Sequence, residues 1–564
     1  MTLKIKELTK YQRDLLCVTG RVETYINHPE RETYPVSCTN YRYDNDLGNA
    51  LKYLSKALRG GAGININLAD YVQPNKPVIT KQWEYEISKS HADYDANYDS
   101  PTSSLVDASS EYIKIITVAD SMEESDQNCV SIEDSWIIFY ESLVNLYSVY
   151  VKLSNLRASG TTNDKGLTAS GPYTFLKFYE SLYIYYKEPS LTNIIKLFGT
   201  LNECIRRGGV YKNGIITFSY PSYGSYVDEY LDIPLEDIPG SGKKKLIVNN
   251  NLLTQDKQFF DMLAEKVNSN NIMLVKERLD KEGKPLEINV CNGIYFRERG
   301  TCLLNHVNLG MCLTPKDIVD AFRLGMNLLV DLHFKWKRPD QYLSANDDKQ
   351  VALGVVGLAN FLSFHNISYL EFTEGLKNRA NGVPAESLEA NKWIDSLFQG
   401  YSVATEIAKN WGIERAFTIE PTQSCAYRHT DLLGNTVCRN IYPPHHNVVK
   451  RRGHTVKELS KTYHHGLVET VPDVLEDSHK NNINILQTLC ESWQKMMDNT
   501  GLSHCISYDI YEPVTGDWIL NFIENSPLWT TYYVRTGEID MSVMDKGMCS
   551  INKDDKEDCT ACSE

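Results

Sequence analysis

Two adjacent tyrosines, Tyr532 and Tyr533, lie in the segment WTTYYVRTGE, and a polar stretch beyond them contains Cys559-Thr-Ala-Cys562. Stacked phenols can pass an oxidising equivalent one electron at a time. A tethered cysteine pair can carry two electrons to a site it does not permanently occupy, by thiol–disulfide exchange. The two together suit radical chemistry that consumes a dithiol on each turnover. Taken alone, packed tyrosines and half of a zinc site explain the same residues about equally well. The rest of the chain decides between these readings.

The elements that must position such groups follow from the hydrophobic pattern. From Tyr34 the chain alternates short apolar runs, glycine-rich turns and helical stretches, the pattern of α/β architecture. Leu47, Leu51, Leu54 and Leu58 fall at helical spacing, and that helix runs into Arg59-Gly60-Gly61-Ala62-Gly63. Residues 90–128 are dominated by Asp, Ser, Glu and Asn. A helix is then predicted over about Asp134 to Leu153, where Trp136, Phe139, Tyr140, Leu143, Leu146 and Tyr147 form a wide apolar face. Further helices are predicted at 175–187, 256–269, 315–333, 349–364, 389–410 and 482–498. The polar run from Thr536 onward reads as a mobile tail.

Bulk properties narrow the class. A chain of 564 residues can bury one very large core or several ordinary ones. With 42% hydrophobic and 23% charged residues it has the composition of a globular protein. Its net charge of −15 argues against a nucleic-acid surface, which needs clustered Lys and Arg. The basic runs Lys243-Lys244-Lys245 and Lys450-Arg451-Arg452 could still bind a small phosphate ligand. The opening MTLKIKELTKYQRD carries no apolar stretch of a signal peptide, and no apolar run reaches the roughly 18 residues of a membrane span. The 14 cysteines are scattered without the density of a secreted disulfide scaffold. A soluble, cytoplasmic enzyme is expected.

Five stretches then stand in a particular order. They are Pro35-Val-Ser37-Cys38 with its following helix and glycine turn; Gly166-Leu-Thr-Ala-Ser170-Gly171-Pro172; Arg206-Arg207-Gly208-Gly209; Asn289-Val-Cys291 followed by Cys302-Leu-Leu-Asn-His-Val-Asn308-Leu309; and Glu420-Pro421-Thr422-Gln423-Ser424 with Pro443-Pro444 beyond. Their order, together with the tyrosine pair and tail cysteines, resembles the catalytic (large, alpha) subunit of ribonucleotide reductase over residues 34–72 and 157–564. The stretch LGVVGLANFL at 353–362 is also similar to a barrel helix of that family.

The resemblance implies a fold and a set of roles. The fold is an α/β barrel of ten strands, two parallel half-barrels running antiparallel to each other, with a central loop carrying the radical cysteine. Cys291 would be the thiol that becomes a thiyl radical, and Asn289 would hydrogen-bond the ribose. The inert reading of Cys291 is a buried thiol, the usual fate of a free cysteine. Cys38 and Cys302 match the reducing pair, and Cys559 and Cys562 the tail pair that re-reduces it. A flexible tether of roughly 26 residues from Tyr533 to Cys559 spans about 28 Å, enough to swing into a barrel mouth. Substrate phosphates would fall to the backbone around Pro421, Thr422, Gln423 and Ser424 at a helix start, with Ser37 and the Gly61 turn assisting. Lys243, Lys244 and Lys245 stand where the family keeps a mobile specificity loop and would contact an effector; a solvated lysine face is the plainer reading of the same run.

Tyr532 and Tyr533 point to class I, where a separate small (beta) subunit with a diiron or dimanganese, tyrosyl-type radical cofactor supplies the oxidising equivalent. No cofactor is then expected in this chain. His445, His446, His454, His464 and His465 lack the i, i+4 spacing of a helical metal site, so no metal is expected. The implied partners are that small subunit, thioredoxin or glutaredoxin, ribonucleoside di- or triphosphates, nucleotide effectors and a second copy of the chain in a homodimer. Nucleic acid and membrane are not among them.

The chain departs from the family pattern in three places. The radical loop of the family reads Asn-x-Cys-x-Glu, the Glu serving as base for the ribose 3′-hydroxyl; here that position is Gly293. Such a base is worth about 10²–10⁴-fold in rate. Another group, a small carboxylate such as formate, or impaired catalysis would account for its loss, and Glu287 is on the wrong side to replace it. Secondly, residues 1–33 are too short for the family's N-terminal ATP cone. Thirdly, an insertion at about 71–158 suggests a packing or self-association element. Cys129 within it, followed by Glu133-Asp134-Ser135, is a second choice for the first redox cysteine, though no glycine-rich turn follows. The expected organisation is thus a short segment 1–33, a catalytic barrel 34–535 and a redox tail 536–564. Two other readings stay open: an adenosylcobalamin-dependent (class II) reductase, and a nucleotide-binding paralogue without catalysis.

Overall fold

The structure is a computed structural model of the chain. It describes residues 8–69, 85–87, 113–119, 130–144, 148–152 and 172–531, with breaks at 33, 35, 37, 42–46, 206–214, 236–237, 239–242, 384–388, 421, 445, 452–460, 469, 476–483 and 499–512. The chain divides into two compact units, Met1–Asn40 with Lys245–Glu564, and Tyr41–Lys244. Both are α/β.

The first unit is built on a four-stranded sheet in the order Leu16–Val18, Leu304–Asn308, Gln350–Val356, Arg415–Phe417. The first pair is antiparallel, with Leu16 opposite Val307, and the others are parallel. Leu304–Asn308 and Gln350–Val356 are buried at every position, as expected of parallel strands covered on both faces. The connection between them runs through the 21-residue helix Pro315–Lys335. Its start is fixed by the Thr314–Asp317 capping box and by Pro315 at the first turn, and His333 and Lys335 sit at the negative end of its dipole. Thr314→Ala should cost about 1 kcal/mol of stability, readable as a shifted urea midpoint with unchanged slope. An unshifted midpoint would show that packing alone holds the helix end.

One predicted helix, 349–364, divides into two elements. Gln350–Val356 is a strand, and Leu358–His365 is a helix. The divider is Gly357, whose φ of +76° no helix interior allows. The valine-rich half then takes the extended form that β-branched side chains favour. Other predicted helices appear at Pro172–Lys187, Lys257–Asn268, Asn391–Asn410 and Asn484–Asp498. A short antiparallel hairpin, Glu287–Ile288 with Tyr295–Phe296, holds residues 289–294 as its loop.

In the second unit the helix Leu47–Arg59 buries Leu47, Leu51, Leu54 and Leu58 and ends where Gly61 takes φ +81°. Gly63–Asn67 pairs in parallel with Ile216–Pro221. The insertion contributes a second, wholly parallel sheet in the order Tyr85–Ile87, Ser148–Lys152, Ile113–Ala119, Val130–Ser131. Its aromatic helix is Ile132–Val144, shorter than the sequence pattern suggests because the chain returns as the strand Ser148–Lys152. Trp136 and Phe139 of that helix are fully buried, with ring centroids 4.8 Å from Phe178 and 4.9 Å from Tyr179. Trp136 and Phe139 of the apolar face therefore pack inside their own unit.

The described strands fall into separate sheets and do not close into one barrel of ten. Among the described residues, no helix is long and apolar enough to cross a membrane.

Candidate active site

The hairpin loop that carries Cys291 is held by its own asparagines. Asn289 Oδ1 accepts from the backbone N–H of Gly293 at 2.7 Å and of Ile294 at 3.1 Å. The backbone N–H of Asn289 donates to the Ile294 carbonyl, and Asn292 adopts the left-handed conformation with φ +58°. The Asn289 side chain thus acts as an internal cap that fixes the loop tip. Lys245, also fully buried, donates from Nζ to the Asn289 carbonyl at 2.5 Å.

Cys38 and Cys302 come together across neighbouring backbones. Thr39 and Thr301 form an antiparallel bridge, and the Cys302 N–H donates to the Cys38 carbonyl at 3.1 Å. Cys38, Cys291 and Cys302 stand outside any disulfide, none more than 5% exposed. Burial pushes the Cys302 thiol up; its hydrogen bond with Cys38 opposes this, while the charges of Glu420 and Cys291 add to it. Arg21, itself buried, donates to the Cys302 carbonyl at 2.6 Å.

A carboxylate the sequence reading left without a role completes this cluster. Glu420 is buried and accepts from Asn289 Nδ2 at 2.9 Å. Desolvation raises its pKa to about 8, although the Asn289 hydrogen bond and the Lys245 charge pull it down. Three thiols, an amide, a carboxylate and an ammonium group therefore converge in a nearly dry site of the first unit. Such a constellation can trade hydrogen atoms, protons and a disulfide's two electrons with water excluded.

The other expected residues fall as follows. Thr422 is buried at the N-cap position of the short helix Gln423–Ala426 without a side-chain cap hydrogen bond; Gln423 bonds Tyr427 from Nε2 at 3.1 Å. Gly61 lies in the second unit, as the helix-ending residue described above. Lys243–Val248 is a strand, not a mobile loop. Lys244 is buried, donating to the carbonyls of Tyr230, Leu231 and Ile233, so with Lys245 it serves the interior instead of a solvated effector surface. The physical reason is that alternate residues of a strand face opposite sides, and both carbonyl-rich sides here lie within the fold. Ser37, Pro421, Tyr532, Tyr533, Cys559 and Cys562, and the side chain of Ser424, lie outside the described residues. Cys129 does as well.

The backbone leading to Tyr532 is described, and it runs beside the loop. Thr530 bridges Val275, and Thr531 exchanges hydrogen bonds with Leu274. Thr530 Oγ1 donates to the Asn292 carbonyl at 3.0 Å, and Asn292 Nδ2 donates to the Thr531 carbonyl at 2.9 Å. Asn292 follows Cys291 directly. Sequence spacing gave no hint of this clasp, since its halves are 239 residues apart. Among the described residues, no group of three or more His, Cys, Asp or Glu could hold a metal ion.

No protein-family model and no curated protein matches the sequence. Among solved structures the chain is similar to the Actinobacillus ureae class Id ribonucleotide reductase alpha subunit, at 13% identity and a TM-score of 0.49, over 94% of this chain and 88% of that one.

Proposed function

We propose that the chain is the catalytic subunit of a class I ribonucleotide reductase, which converts ribonucleotides to 2′-deoxyribonucleotides. The observation that carries this reading is the convergence of Cys38, Cys302 and Cys291 with Asn289 in one buried site. Removing a ribose 2′-hydroxyl is hard because hydroxide leaves poorly from an unactivated carbon. A thiyl radical at Cys291 that takes the 3′-hydrogen makes that departure easy. Cys38 and Cys302 then supply two electrons and end as a disulfide, and Cys559 and Cys562 restore them by exchange with thioredoxin or glutaredoxin. A buried site suits this sequence, because water and oxidants would quench the radical.

On this reading a partner subunit with a metal–radical cofactor supplies the oxidising equivalent. Tyr532 and Tyr533 relay it to Cys291; the clasp of Thr530 and Thr531 on Asn292, the residue next to Cys291, supports this. Backbone amides from Thr422 onward take the substrate phosphates.

The test is a turnover assay with a ribonucleoside di- and triphosphate and dithiothreitol. Its arms add a small metal-containing subunit, adenosylcobalamin, or neither. Product only with the small subunit is the expected result. Product with adenosylcobalamin alone would make the chain a class II enzyme, and nucleotide binding without product in every arm would sink the reductase reading.

A further inference from the structure

We propose that Glu420 is the proton-transfer carboxylate of this site, delivered from the segment after Arg415–Phe417, and that Gly293 is the vacancy in the loop that admits it. The inference rests on the reductase reading and extends it to a group the loop itself does not supply.

The geometry is specific. A Cβ built on Gly293 would lie 2.0 Å from Glu420 Oε1, 2.2 Å from Cδ and 2.6 Å from Oε2. The carboxylate therefore occupies the volume into which a side chain at 293 would project. Even a methyl group there would expel it, so Gly293 and Glu420 are complementary. The same Oε1 is anchored by Asn289, whose own amide oxygen is held by the Gly293 and Ile294 N–H groups. Thr418 ties the two segments further, donating from Oγ1 to the Gly293 carbonyl at 2.7 Å. Hence the carboxylate is fixed against the loop two residues from Cys291 and within the electrostatic reach of Cys302.

The groups facing it set its proton affinity. Lys245 draws it toward ionisation, Asn289 stabilises the ionised form, and Cys302, Cys291 and Arg21 lie around the same pocket. Burial outweighs these and leaves a group that titrates near the operating pH, suited to both taking and returning a proton. In the reaction the Cys291 thiyl takes hydrogen from C3′, becoming a thiol. Glu420 accepts the 3′-hydroxyl proton while the 2′-hydroxyl leaves as water with a proton from one thiol of the Cys38–Cys302 pair. The other thiol gives a hydrogen atom to C2′. The resulting disulfide radical anion returns an electron, and Glu420 its proton, to the 3′-ketone. Cys291 then gives back its hydrogen to C3′. The balance is one C2′–O bond broken, one C2′–H bond made, one disulfide formed and one water released.

The experiment compares full-length wild type, Glu420→Gln, Glu420→Ala and the double variant Gly293→Glu/Glu420→Ala, each with the radical-supplying partner that supports turnover. Glu420→Gln should lower kcat about 10²–10⁴-fold with nucleotide binding unchanged. Formate should restore part of the rate to Glu420→Ala but not affect wild type, because only the truncated variant has room for it. The double variant should recover activity by returning a carboxylate to the same volume. A readout free of turnover accompanies these. The unfolded carboxyl ionises near 4.5 and the folded one near 8, so wild-type stability should fall as pH rises through that window. In Glu420→Gln that fall should be gone. An active wild type with Glu420→Gln at the same rate would overturn the assignment alone, as would a rate loss that neither formate nor the double variant relieves. A wild type inactive with every radical source would overturn the reductase reading and this assignment with it.

Discussion

Cys291→Ser should produce no detectable deoxyribonucleotide, a fall of at least ~10⁴-fold, or about 5.4 kcal/mol of barrier. A serine O–H bond is much stronger than a cysteine S–H bond, so the relay has no acceptor that can become the hydrogen-abstracting radical. The change is otherwise mild. Cys291 is buried in a loop held by the Asn289 amide and by the Thr530–Thr531 clasp, none of which uses its sulfur. The variant should fold, bind nucleotide like wild type and retain the Cys38 and Cys302 thiols. Product formation within tenfold of wild type would remove Cys291 from the chemistry.

Asp348→Ala should cost about 3–5 kcal/mol of stability, the largest effect expected of a residue outside the catalytic cluster. Arg338 and Asp348 form an ion pair at 2.5 Å, with side chains 4% and 0% exposed. Asp348 Oδ2 also accepts from the N–H of Thr301 at 3.0 Å and from its hydroxyl at 2.7 Å. Removing the carboxylate strands a buried guanidinium and two donors at once. It also frees Thr301, the residue that pairs with Thr39 beside Cys38 and Cys302. Denaturant unfolding should show the loss, and oxidation of the Cys38–Cys302 pair should slow in parallel. A loss under 1 kcal/mol would mean that the pair is solvated in solution.

Local signals in the sequence carried much of the fold. Leu47, Leu51, Leu54 and Leu58 gave their helix, and the apolar period over 315–333 gave another. Residues 350–356 misled because valines and glycines fit either period over so short a run, and Gly357 decides the break through its backbone angle. Lys243 to Lys245 misled for another reason. A run of lysines normally stays in water, and only tertiary carbonyls from Tyr230, Leu231, Ile233 and Asn289 make burial tolerable. In the buried cluster, Cys38, Asn289, Cys291 and Cys302 were singled out through the family resemblance. Glu420 was not. Gly293 reads as a loss when its segment is taken alone, and the carboxylate that fills its place is 127 residues on, a complementarity that exists only in three dimensions.

The clasp between Asn292 and Thr530–Thr531 bears on how the protein is made. The loop emerges from the ribosome long before the segment that locks it, by roughly 10–50 s at ordinary rates of synthesis. Throughout that interval Cys291 belongs to a nascent chain whose site is incomplete, and chaperones or small thiols could reach it. The last-made part of the described fold is thus the latch of the first-needed thiol. A chain stalled or clipped before Thr530 would keep Cys38, Cys291 and Cys302 yet lack the latch, and on the reductase reading would have no productive radical route.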